Sequence, residues 1–195
     1  MQHDLTLLAR EIHQTAVEHG WWEPEPDAET LLALIHSEWS EALEEYRACR
    51  PDAYALACDS DVMRYETDPA LFGGHKPEGI CVELIDGCIR ILDWMAAQYI
   101  LTDGSEESQR LVDCCGNVDI DGENYRDYPL PHVVELLHYH TALARNRASY
   151  FANLRATLSI ALSWVAAQGY DPLELMRIKM DYNRSRPYRH GGKRC

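Results

Sequence analysis

Apolar residues recur along this chain at helical spacing, in six blocks, with no stretch of strict alternation that would predict a strand. Leu5, Leu8, Ile12, Ala16 and Val17 mark a first helix over residues 4–19, with Gly20 as its stop. Trp21, Trp22, Pro24 and Pro26 predict a turn, and Asp27 a cap for a second helix over 28–49. There Leu31, Leu32, Ile35, Trp39, Leu43 and Tyr46 form the apolar stripe. A third helix is predicted over 79–97. Pro77 and Glu78 open it, since proline suits a first turn and an acid complements the helix dipole. Pro131 starts a fourth, Val133 to about Arg147, and a fifth runs from Tyr150 to Gln168 and stops at Gly169. Asp171-Pro172-Leu173-Glu174 is a capping box for a sixth, to about Arg184. Residues 50–76 and 102–131 have no sustained period. They read as irregular loops, the first with a short helical turn near 53–65. The expected fold class is all-α: one domain over 1–195, with a four-helix-bundle core, additional helices and a basic tail at 184–195.

The third helix carries the first chemical signal. On a helical wheel Glu83, Asp86, Arg90 and Asp93 fall within a wedge of about 80°. Nearly everything else in it is apolar, including Ile80, Val82, Leu84, Ile85, Ile89, Ile91, Leu92, Trp94 and Met95. A helix apolar most of the way round is a buried helix, and buried carboxylates are costly unless paired or bound to a cation. In the second helix Glu38, Glu41 and Glu45 share one wedge at the edge of the apolar stripe. If the two polar stripes face each other, four or more carboxylates converge. Such a cluster repels itself unless cations fill it, and hard oxygen ligands in that number suit Mg²⁺ or Mn²⁺. The competing reading is a solvated stripe with an Arg90 ion pair.

Charge is distributed unevenly. The chain carries a net −14, but from Arg177 onward it is +6, so the body is −20. That body argues against nucleic acid as a partner, while a short basic tail beside an acidic, cation-filled site suits a small polyphosphate. No apolar run reaches membrane-spanning length. The start, Met-Gln-His-Asp, lacks the basic and apolar blocks of a signal peptide. Seven cysteines, an odd number without a Cys-x-x-Cys, predict reduced buried thiols and a cytoplasmic protein. Cys114-Cys115 is the pair with redox potential, outweighed by burial.

In the tail, Lys179 and Asn183 lie four apart on one helical face, and Arg186, Arg189 and Lys193 follow. Cations on long stems gather around phosphate oxygens, although a frayed basic terminus has the same composition. Asn117-x-Asp119-x-Asp121-Gly122 imitates the start of a calcium loop, but Tyr128 stands where a bidentate glutamate is needed. His132, His138 and His140 lack the i, i+4 pairing of a zinc helix and read as surface or core-edge residues.

Glu38-x-x-Glu41 followed by Glu83-x-x-Asp86, then Lys179-x-x-x-Asn183-x-x-Arg186-Pro and His190-Gly-Gly-Lys193, resembles the MazG-like all-α nucleoside triphosphate pyrophosphohydrolases. That group includes the all-α dimeric dUTPases. The likeness covers roughly residues 28–48, 76–97 and 175–194. It implies Mg²⁺, with Mn²⁺ as substitute, bound by Glu38, Glu41, Glu83 and Asp86. It also implies cleavage of a free nucleoside triphosphate between the α and β phosphates, in a house-cleaning role. Lys179, Asn183, Arg186, His190 and Lys193 are then the substrate-binding residues. A carboxylate must remain as base, and Glu45 and Asp93 are the candidates, with Glu41 counted as catalytic through its place among the metal ligands. A homodimer is implied, with a tetramer as the larger alternative, and Leu158, Ile160, Leu162 and Trp164 offer apolar faces that seek cover. Trp21, Trp22, Trp39 and Tyr188 could stack on a base, but most are expected in the core.

Two other readings compete. Glu135-x-x-His138 matches one half of a carboxylate-bridged di-metal redox bundle, which needs two such motifs. A non-catalytic helical assembly protein would leave the acids merely solvated.

Overall fold

Burial of the six apolar stripes against one another produces an all-α architecture. The computed structural model describes residues 2–48, 77–100, 115–146 and 148–189. In chain order these form β1 (Gln2–His3), α1 (Thr6–Glu18), α2 (Ala28–Ala48), α3 (Ile80–Ile100), β2 (Val118–Asp119), a 3₁₀ turn (Glu123–Tyr125), α4 (Leu130–Leu143), α5 (Tyr150–Ala167) and α6 (Pro172–Ser185). The expected loop at 50–76, residues 102–114 of the 102–131 connection with Cys114 among them, and His190 and Lys193 lie outside the described residues.

The termini of the helices follow the predicted chemistry. Asp27 Oδ1 accepts the Thr30 N–H at 2.7 Å ahead of α2. Asp171 Oδ1 accepts the Leu173 and Glu174 N–H groups at 2.9 and 3.3 Å ahead of α6. Gly20 and Gly169 follow α1 and α5 at φ +77° and +89°, the left-handed region where a side chain is strained.

One expectation is corrected. The chain does contain strand: β1 and β2 pair antiparallel, Gln2 with Asp119 and His3 with Val118. Two residues per strand are too few to show alternation in a sequence. Val118 is fully buried, and the Leu5 N–H donates to the Cys115 carbonyl at 2.9 Å, so the ladder extends the start of α1.

Helix α3 lies at the centre, packed against α1, α2, α5 and α6. That arrangement explains why it is apolar on most sides. Cys81, Leu84, Ile85, Cys88, Ile91, Leu92 and Met95 are each fully buried. Each large aliphatic in that set contributes about 1.5–3 kcal/mol of transfer free energy. Burial also pushes the Cys81 and Cys88 thiols well above the ordinary range, so they are inert packing groups. No helix among the described residues is long and apolar enough to cross a membrane.

The α2–α3 contact has a defined register. Trp39, fully buried, lies flat on Gly87, and its indole N–H donates to Thr141 Oγ1 of α4 at 3.0 Å. Trp39 follows Glu38, and Gly87 follows Asp86, so this contact sets the height at which the acids meet. A methyl group at 87 would come within 2.2 Å of two Trp39 ring atoms. Gly87→Ala is expected to destabilise by up to about 2 kcal/mol, because overpacking costs about 1–3 and alanine's helix propensity returns about 1. Urea titration reads this, and equal or higher stability would mean that the ring moves freely.

Candidate functional site

Carboxylates three apart on a helix share one face, and the Trp39–Gly87 contact turns two such faces together. Glu38 of α2 and Glu83 and Asp86 of α3 each bring an oxygen to within 4.8 Å of the others. Glu38 and Glu83 are buried, and Asp86 is partly so. Burial pushes the Glu38 carboxyl above its ordinary range; Arg90 opposes that, and Asp86 and Glu41 add to it.

Two cations answer the acids. Arg90 Nε donates to Glu38 Oε1 at 2.5 Å. Lys179 Nζ of α6 lies 2.6 Å from Asp86 Oδ2 and also donates to the Pro77 carbonyl at 3.3 Å. Burial disfavours the Arg90 charge, yet Glu38, with Asp86 and Asp93, holds it above the ordinary arginine value.

The same acids line a cleft of about 420 Å³. Its wall includes Glu38, Glu41, Glu83, Asp86, Arg90 and Asp93, with Asn183 and Arg186 from the end of α6 and beyond. His19, Trp21, Trp22, Pro26 and Leu31 supply a less polar part of the lining. Such a mixture suits a ligand with one anionic and one flat apolar portion.

Asp93 has a different task from the other acids. His13 Nδ1 lies 2.7 Å from its Oδ1, and the Trp22 indole N–H donates to both oxygens, at 3.0 and 3.2 Å. His13 meets the Trp22 ring edge-on at 4.9 Å between centroids. Burial raises the Asp93 carboxyl, opposed by His13, Trp22 and Arg90. Asp93 therefore anchors α1 and the Trp22 wall to α3.

The chain end is strapped over that wall. Arg189 donates from its backbone N–H to the His19 carbonyl at 3.0 Å and from Nε to the Gly20 carbonyl at 3.1 Å. Tyr188 donates to Glu23 Oε2 at 3.2 Å and covers Gly20, where a Cβ would lie 2.1 Å from its ring.

The sequence-predicted residues divide accordingly. Glu38, Glu83 and Asp86 meet, and Glu41 lines the same cleft but is exposed. Glu45 is half-buried on α2 and does not appear in the cleft lining. Asn183 and Arg186 reach the cleft, whereas Lys179 is buried behind it on Asp86. Trp39 is core, and Tyr188 is exposed on the strap. Sequence reasoning missed His13, whose one signal is a histidine between apolar Ile12 and Ala16 on α1. The Glu135-x-x-His138 motif diverges: Glu135 is exposed, and His138 Nδ1 lies 2.8 Å from His36 Nδ1. No family model, curated protein or solved structure matches the chain.

The acid cluster could hold a divalent ion. Oxygens about 2.0–2.1 Å from one Mg²⁺ lie roughly 3–4 Å apart, so the three carboxylates, within 4.8 Å of one another, need draw in by about 1–2 Å. Two outcomes follow. A carboxyl raised by folding binds protons better in the folded chain, so its contribution to stability falls as pH rises through that raised value. A bound cation reverses this by stabilising the ionised form. Excess MgCl₂ is expected to raise the melting temperature more at about pH 8 than at about pH 5, and a shift independent of pH would count against cation binding here. Lys179→Met leaves Asp86 without its partner and should cost about 3 kcal/mol by urea titration. Adding Asp86→Asn should recover part of that loss.

Proposed function

We propose that this chain is a MazG-like nucleoside triphosphate pyrophosphohydrolase, with a four-helix core plus additional helices and a Mg²⁺ requirement that Mn²⁺ can meet. It acts as a cytoplasmic homodimer on a free nucleotide, although Leu158, Ile160, Leu162 and Trp164 are covered within the single chain and are not the faces that seek a partner. One observation carries the reading: three carboxylates from two helices converge in a cleft that Asn183, Arg186 and two tryptophans also line.

Magnesium, when bound, would neutralise phosphate charge and lower the pKa of a water. Glu38, Glu83 and Asp86 would hold it, and Lys179 keeps Asp86 turned toward them. Glu41 is the cleft carboxylate left to orient the attacking water and take its proton. Asp93 already accepts from His13 and Trp22, and Glu45 stands outside the lining. Water adds at the α phosphorus, the α–β bridging bond breaks, and pyrophosphate leaves with the bond's electron pair. Asn183 and Arg186 bind and orient phosphate or sugar oxygens. Trp21 and Trp22 offer flat apolar surface to a base.

Product analysis across ribo-, deoxy- and modified triphosphates with Mg²⁺ tests the proposal. A nucleoside monophosphate plus pyrophosphate is expected from at least one. Glu41→Gln should lower kcat by about 10²–10⁴. Release of inorganic phosphate alone, or no turnover of any triphosphate, overturns the reading.

A further inference from the structure

Three carboxylates and two side-chain cations share the acid cluster, and the cations differ in exposure. Lys179 is 2% exposed, its ammonium held by both Asp86 and the Pro77 carbonyl. Arg90 is 41% exposed, lines the cleft, and uses its Nε–H on Glu38. A guanidinium has five N–H donors in a rigid fork, so most of its donor capacity remains for the cleft.

Charge balance makes this difference consequential. Glu38, Glu83 and Asp86 with Arg90 and Lys179 sum to −1, and to −3 with Glu41 and Asp93 of the same cleft. A divalent ion on Glu38, Glu83 and Asp86 would meet Arg90 on Glu38 and Lys179 on Asp86. Two cations then compete for each of those carboxylates, which favours departure of a resident one. Lys179 cannot rehydrate where it lies, and removing it strands Asp86. Arg90 already faces the cleft and can release Glu38 without being buried anew.

We infer that Arg90 is a displaceable counter-ion. It holds Glu38 in place until a divalent cation enters, then turns its fork onto the phosphate oxygens of the substrate. The second half rests on the pyrophosphohydrolase reading; the first does not. Arg90 thereby has two opposite effects. It weakens cation binding to the empty cleft and strengthens binding of a polyphosphate once the cation is present. A cation-filled cleft holding no anion is penalised, which couples the two ligands.

The test uses the full chain, with Arg90→Met removing the charge and Arg90→Lys keeping it without the fork. Mn²⁺ titration followed by electron paramagnetic resonance, with no nucleotide, should show Arg90→Met binding about tenfold tighter than the parent. Calorimetry with inorganic tripolyphosphate and Mg²⁺ should show it binding at least about tenfold weaker. Arg90→Lys should keep the parent's Mn²⁺ affinity more nearly and still lose tripolyphosphate affinity. It serves alone if Arg90→Met fails to melt cooperatively. Unchanged or weaker Mn²⁺ binding in a folded Arg90→Met would make Arg90 a structural partner only and overturn the inference. Tighter Mn²⁺ binding in a chain that hydrolyses no triphosphate would keep the counter-ion role and discard the pyrophosphohydrolase reading instead.

Discussion

Burying carboxylates side by side is the constraint that the rest of this structure answers. Glu38, Glu83 and Asp86 repel one another, and desolvation adds to the cost of each charge. The chain meets that cost with long-range ion pairs. Arg90 crosses from α3 to α2, and Lys179 crosses from α6 to α3. These pairs are also positional devices, since each fixes a neighbouring helix against α3 at the level of the acids. Lys179 does so from a fully buried stem, in which the methylenes pack while the ammonium meets Asp86 and a carbonyl.

Packing supplies the second requirement, a rigid scaffold on which the acids keep their spacing. A helix covered by four others has room for one polar stripe, and α3 turns that stripe toward the cleft. The Trp39 ring on Gly87 brings α2 and α3 close immediately beside Glu38 and Asp86. Its bond to Thr141 ties the same ring to α4, so the geometry of the acid cluster is supported from the core side as well as by charge. The opposite wall is built differently. Asp93 gathers His13 and the Trp22 indole, and the Tyr188–Arg189 strap closes over Gly20 behind them. Residues from the start, middle and end of the described chain thus meet around one cleft. In the opposite wall α1 rests on α3, and the strap rests on the turn that follows α1.

Much of this was legible in the sequence. All six helices appear where the apolar spacing put them, and Asp27, Asp171, Gly20 and Gly169 end them as turn chemistry requires. The acidic stripe of α3 was visible as an anomaly, four polar residues on an otherwise buried helix, and all four line the cleft. Periodicity can do this because the phase of a residue on its own helix is a local property. The two-residue β1–β2 ladder was not visible, since it owes its existence to the buried Val118 and not to any run of strand-forming residues.

What the tertiary structure alone decided is which partners each polar group takes. Glu38, Glu41 and Glu45 look equivalent on a wheel, yet rotation of α2 against α3 buries Glu38, leaves Glu41 exposed in the cleft and leaves Glu45 out of its lining. Lys179 reads as one more cation in a basic tail, but α6 docks so that its ammonium is buried against Asp86. Trp22 and Asp93 are 71 residues apart, and nothing in either neighbourhood announces their bond. Spacing along the chain determines which side chains share a face. Which faces meet is determined by close packing between helices distant in sequence, and the choice of counter-ion follows from that.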